Sequence, residues 1–155
     1  MDVLQIRSAN IEDADTLVEM VIRLLTELTG GTPAIDKESL VKVYLEQLEK
    51  MNLYTPFLAF TETNQCVGII TVAESFALYS GGRFGIIQEF YVSPEYRSSK
   101  IGHQLLSAVA EYGKKNQWNR IEVGAPNPLK WERTVSFYKR EGFSEIGPRL
   151  KLSLV

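Results

Sequence analysis

Residues 88–106, QEFYVSPEYRSSKIGHQLL, constrain the chain most, because the hydrophobic period changes within them. Ile, Val and aromatic residues over 84–92 read as a strand ending near Val92. A short polar loop with Arg97, Ser98, Ser99, Lys100 and Gly102 follows. Ile101, Leu105, Val109 and Tyr112 then recur at helical spacing. A helix that starts directly after such a loop leaves its first backbone N–H groups without intrahelical acceptors, at its positive end. That end suits a phosphate or pyrophosphate, and Arg97 and Lys100 add cationic side chains to it. Gly102 lets a ligand approach the backbone closely. The spacings of a Walker A loop and of the GxGxxG dinucleotide fingerprint are both absent.

The rest of the chain frames this segment. Residues 3–6 read as a short strand. Asn10 is placed to cap a helix, with Glu12 and Asp13 in its first turn. Leu17, Val18, Val21, Leu25 and Leu28 continue that helix to Gly30. A second helix starts near Asp36 and carries Leu40, Val41, Tyr44, Leu45 and Leu48 on one face. Residues 57–60, 66–72 and 84–92 form a three-strand meander, with turns at 62–65 and 80–82. After the helix that opens at Ile101 come a strand over 120–123, a helix over 131–140 stopped by Gly142, and two closing strands at 143–146 and 150–154. The order is strand, two helices, three strands, helix, strand, helix, two strands: one α+β domain over 1–155 with a mixed, largely antiparallel sheet of about seven strands and four helices.

Composition narrows function by exclusion. With 17 basic and 19 acidic side chains the net charge is -2, which favours neither nucleic acid nor a membrane surface as main partner. One cysteine, Cys66, allows no internal disulfide, and one histidine, His103, allows no histidine-clustered metal site. The first residues lack the pattern of a signal peptide, and no window reaches the ~18 apolar residues of a membrane helix. A cytoplasmic protein without a metal is the expectation. Cys66, Trp118 and Trp131 are expected to pack.

Residues 88–106 resemble the acetyl-CoA-binding motif of the GNAT-type N-acetyltransferases. In that family a strand with an acidic residue leads into V-x-P-x-[YWF]-[RQ]-x-x-G-x-[GA] and a helix with paired leucines. Val92, Pro94, Tyr96, Arg97, Gly102, Leu105 and Leu106 match in register, while Lys100 stands at the first glycine. Phe137, Tyr138, Gly142 and Phe143 are similar to the family's late FY-x-x-x-GF motif, preceded here by Trp131 and Thr134 where Asn and Ala are usual. Residues 6–13 resemble its usual opening.

The resemblance implies a GNAT-like fold, splayed between the fourth and fifth strands where coenzyme A lies, and direct transfer of an acyl group, most simply acetyl, from acetyl-CoA to a primary amine of a small molecule or peptide. It implies that the backbone of Phe90, Tyr91 and Val92 holds the pantetheine arm and polarises the thioester carbonyl. Arg97, Ser98, Ser99, Lys100, Ile101, Gly102 and His103 would cradle the phosphates, and Asn127 would touch the pantetheine amides. Glu89 is the candidate base, placed by strand alternation on one face with Ile87 and Tyr91. Tyr138 is the candidate acid for the departing thiolate. The acceptor pocket would draw on residues 28–35 and 146–149, with Tyr79 and Arg83 as further contributors. Exposed strands near the C-terminus would allow a homodimer. Two other readings keep the anion site without acyl transfer: a non-catalytic acyl-CoA sensor, and a protein binding another nucleotide phosphate.

Overall fold

Helix boundaries follow from side chains that close their ends. In the computed structural model, which describes residues 3–126 and 129–155, Asn10 caps a short 3-10 turn, Ile11–Asp13, and forms a reciprocal capping box with Asp13. Helix α1 (Ala14–Thr29) continues from that turn and stops at Gly30, whose φ of 72° suits a residue without Cβ. Helix α2 (Lys37–Lys50) is capped by Asp36, which accepts from the Ser39 N–H at 2.8 Å. The chain divides into two compact units, Met1–Glu122 and Val123–Val155.

The first unit holds strands β1 (Val3–Ser8), β2 (Tyr54–Thr61), β3 (Cys66–Ala77) and β4 (Gly82–Val92), antiparallel neighbours in chain order. Helix α3 (Ile101–Lys115) follows, and β5 (Ile121–Val123) joins the sheet beside β4. The link is made near the start of β4, where the Gly85 N–H donates to the Arg120 carbonyl at 3.0 Å.

Alternation along the strands divides the core between two faces. Leu58, Phe60, Ile69 and Tyr91 pack with Leu17, Met20, Val21 and Tyr44 of α1 and α2. On the other face Phe57 meets Tyr112 of α3 edge-on, at 5.6 Å between ring centres. Ile101, Leu105 and Val109 of α3 are buried, each contributing about 1.5–3 kcal/mol by leaving water. A Cβ at Gly68 would sit 3.1 Å from Leu105 and 3.3 Å from Ile101, so this glycine lets the first turns of α3 rest directly on β3.

In the second unit helix α4 (Glu132–Arg140) ends before Gly142, at φ 103°. Tyr138 is buried, with Phe143 edge-on at 5.4 Å. Residues 143–146 and 150–154 form no strands, so among the described residues the sheet has five strands rather than about seven. Leu150, Leu152 and Leu154 alternate as a strand would, yet they are exposed; a period of two needs a paired neighbour before it becomes a strand. The strand edges expected to pair between chains are therefore not formed among the described residues.

Candidate active site

The end of β4 is shaped by an irregularity. Thr71 of β3 pairs with Glu89, but the next residue, Val72, pairs with Ile87. Gln88 is the extra residue of a β-bulge. Paired residues share a face, so Glu89 lies with Thr71, Ile69 and Tyr91, on the side of α1 and α2. Ile87 lies with Val72 on the side of α3. The expected grouping of Glu89 with Tyr91 is present; the grouping with Ile87 is not, because one inserted residue flips the alternation.

Glu89 is held by two hydroxyls that the sequence reading did not single out. The Tyr54 phenol of β2 and the Thr71 hydroxyl of β3 both donate to its Oε1. The Thr71 oxygen also accepts from the Glu89 N–H at 2.9 Å. Burial, with the adjacent Glu89 charge, pushes the Tyr54 phenol far above its usual range, so it stays a donor. Tyr44 stands edge-on to Tyr54 at 6.0 Å. One signal of this cluster was in the sequence: Thr71 is the lone hydroxyl in the apolar run 67–72, and it is fully buried.

Beyond Val92 the loop is pinned from within. The Ser93 N–H donates to the Val67 carbonyl at 2.9 Å, and a 3-10 turn (Pro94–Tyr96) buries the Tyr96 ring. Ser99 donates to the Tyr96 carbonyl. The Arg97 guanidinium is held within the protein: its Nε donates to the Val92 carbonyl at 2.8 Å, and its other nitrogens pair with both Glu27 oxygens of α1 at 2.8 and 3.0 Å. The same guanidinium lies 5.4 Å from the Tyr91 ring centre. Arg97 thus braces the end of β4 against α1.

Lys100 is the other loop cation, and its ammonium meets no acceptor among the described residues. It occupies the N-cap of α3 at φ 68°, with Ser98 at φ 77° just before it. The left-handed conformation costs a lysine about 1–2 kcal/mol, which accounts for the glycine usual at that position. Unlike Asp36 at α2, no side chain among the described residues caps α3, and no acidic residue lies in its first turn. The first helical bond runs from the Gln104 N–H to the Lys100 carbonyl at 3.0 Å. The amides of Ile101 and Gly102 ahead of it have no intrahelical acceptor. This donor set — uncapped amides, a helix dipole and an unpaired ammonium — fits a diphosphate. Buried Ile101 anchors the turn, and exposed His103 points outward from it.

The remaining expectations fall in several places. Phe90 is half-buried beside Glu89. Asn127 lies outside the described residues. In the second unit burial pushes the Tyr138 phenol up to about 12, which keeps it protonated. Tyr79 is exposed under Arg120, and Arg83 bonds Gln117 at 3.3 Å. Trp118 packs, and Cys66 is a thiol that burial pushes up to about 11, a poor nucleophile. Among the described residues no group of His, Cys, Asp or Glu is arranged to hold a metal ion, and no helix is long and apolar enough to cross a membrane.

Comparison with known proteins adds a family. The model described as the acetyltransferase (GNAT) domain matches residues 53–145. Comparison with curated proteins gave no match. Among solved structures the chain is similar to a predicted acetyltransferase from Clostridium acetobutylicum, solved with acetyl-CoA, at 25% identity over 97% of this chain and 96% of that one, with a TM-score of 0.80. A possible acetyltransferase from Clostridium difficile has 17% identity, 99% coverage of both chains and a TM-score of 0.80. An aminoglycoside acetyltransferase from an uncultured soil sample has 20% identity, covers 97% of this chain and 96% of that one, and has a TM-score of 0.77.

Proposed function

The chain belongs to the GNAT acetyltransferase family, and on that premise we propose that it transfers an acetyl group from acetyl-CoA to a primary amine of a small molecule or peptide. The observation that carries this reading is the uncapped start of α3, with Lys100 in a left-handed conformation and without an acceptor among the described residues, soon after the strand that bears Glu89. The acetyl-CoA of the Clostridium acetobutylicum relative supports the donor.

In this reading the amides at the start of α3 and the Lys100 ammonium hold the diphosphate, and the backbone from Phe90 to Val92 receives the pantetheine arm and the thioester carbonyl. Glu89 takes a proton from the acceptor ammonium, and the neutral amine attacks the carbonyl carbon. The new N–C bond forms as the C–S bond breaks, and the nitrogen gives up its second proton to water. Tyr138, protonated at working pH, supplies a proton to the thiolate, so that amide and free coenzyme A thiol are the products. Arg97 serves indirectly, holding the end of β4 in place through Val92 and Glu27.

Lys100 offers a test with two readouts of opposite sign. Lys100→Gly removes the left-handed strain, about 1 kcal/mol, and raises the melting temperature by about 2–4 °C. It also removes a cation from the diphosphate, so calorimetric titration shows acetyl-CoA binding several-fold more weakly, with a smaller dependence on salt. A wild-type protein that gives no binding heat with acetyl-CoA would remove the basis of the reading. Equal affinity in the variant would confine the anion site to the backbone amides.

A further inference from the structure

Both hydrogen bonds of the Glu89 carboxylate fall on one oxygen. Oε1 accepts from Tyr54 of β2 and from Thr71 of β3, while Oε2 has no donor among the described residues. Three adjacent strands therefore cooperate on a single carboxylate edge, and only the bulge at Gln88 makes this possible by turning Glu89 to the face of Thr71. Thr71 is fully buried within an apolar run, where an unbonded hydroxyl is costly. Its hydroxyl donates to the carboxylate of Glu89 and accepts from the amide of the same residue, tying side chain and backbone into one geometry.

We propose that Tyr54 and Thr71 are positioning residues that hold the Glu89 carboxylate fixed, leaving Oε2 as the edge that meets the acceptor amine. The inference rests on Glu89 being the base. Hydrogen bonds to a carboxylate are short and directional, so two donors from different strands fix both its place and its rotation. The groups facing the carboxylate are Tyr54 and Thr71, with Tyr44 of α2 behind Tyr54 and Tyr91 further along the same face of β4. Arg97 lies over the Tyr91 ring but is paired with Glu27. The two hydroxyls, rather than a cation, therefore set the orientation of the carboxylate.

The test is the split between kcat and the KM for acetyl-CoA, measured with the fastest amine found in a screened panel. Tyr54→Phe and Thr71→Val each remove one donor from the carboxylate. Each lowers kcat by about tenfold or more, with the KM for acetyl-CoA within about twofold of wild type. Thr71→Ser keeps the hydroxyl and keeps the wild-type kcat. If Tyr54→Phe and Thr71→Val retain the wild-type kcat, whatever their melting temperatures, the two residues are merely structural and the inference is overturned. Tyr54→Phe alone suffices should Thr71→Val not fold. Glu89→Gln in the same series separates the two layers. Full kcat in that variant overturns the base assignment and the inference together. A large loss of kcat in Glu89→Gln, with wild-type kcat in the other variants, overturns the positioning alone.

Discussion

Glu89→Gln lowers kcat for amine acetylation by about 100-fold or more, the usual contribution of a positioned base. The substitution is nearly isosteric, and its amide oxygen still accepts from Tyr54 and Thr71. The bulge, the fold and the acetyl-CoA site are therefore retained, and the loss falls on kcat rather than on the KM for acetyl-CoA. The defect shrinks as pH rises, because the acceptor amine then loses its proton to water without help. Steady-state rates from pH 6 to 10 with one amine check both parts. A variant with wild-type kcat at neutral pH would show that Glu89 takes no proton in the reaction.

Gly85→Ala is expected to be the most damaging single methyl group in the first unit. A Cβ there would lie 2.3 and 2.6 Å from ring atoms of Trp118, which is well inside contact. The ring cannot retreat easily. It is 2.8 Å from where a Cβ would stand on Gly113, its Nε1 donates to Glu74 at 2.7 Å, and Tyr112 meets it edge-on at 5.3 Å. Overpacking of this kind costs about 1–3 kcal/mol, and at this chain length each kcal/mol lowers the melting temperature by about 2–4 °C. Calorimetry of Gly85→Ala beside Gly31→Ala, where a Cβ meets nothing within 4 Å, isolates the effect. Equal melting temperatures would mean that Trp118 is not wedged between the two glycines.

Much of the frame was readable in the sequence because it is written locally. Asn10, Asp36 and Gly30 mark helix ends by their own side chains or their lack of one, and the structure uses all three. The sequence marks the strand only over 66–72, five residues short of its C-terminal end, since Glu74, Ser75 and exposed Phe76 break the apolar signal while the backbone stays paired. Relations across the chain were not readable. A bulge adds one residue without changing residue type, so nothing in the sequence moved Ile87 to the opposite face from Glu89. Tyr54 reaches Glu89 only through the register of three strands. Arg97 matched a loop motif, yet its guanidinium bonds Glu27, 70 residues away. The alternating leucines at the C-terminus spelled a strand with no neighbour to pair it.

Amine-dependent release of the coenzyme A thiol tests the central claim most directly. The purified protein is given acetyl-CoA with aminoglycosides, polyamines, amino acids and peptides with free N-termini, and free thiol is followed against an amine-free control. The account predicts that at least one amine raises thiol release at least tenfold over the control, with an equal yield of acetylated amine. Acetyl-CoA binding with no release above the control in any member of the panel would contradict it, and would make the chain a binder of acyl-CoA that performs no transfer.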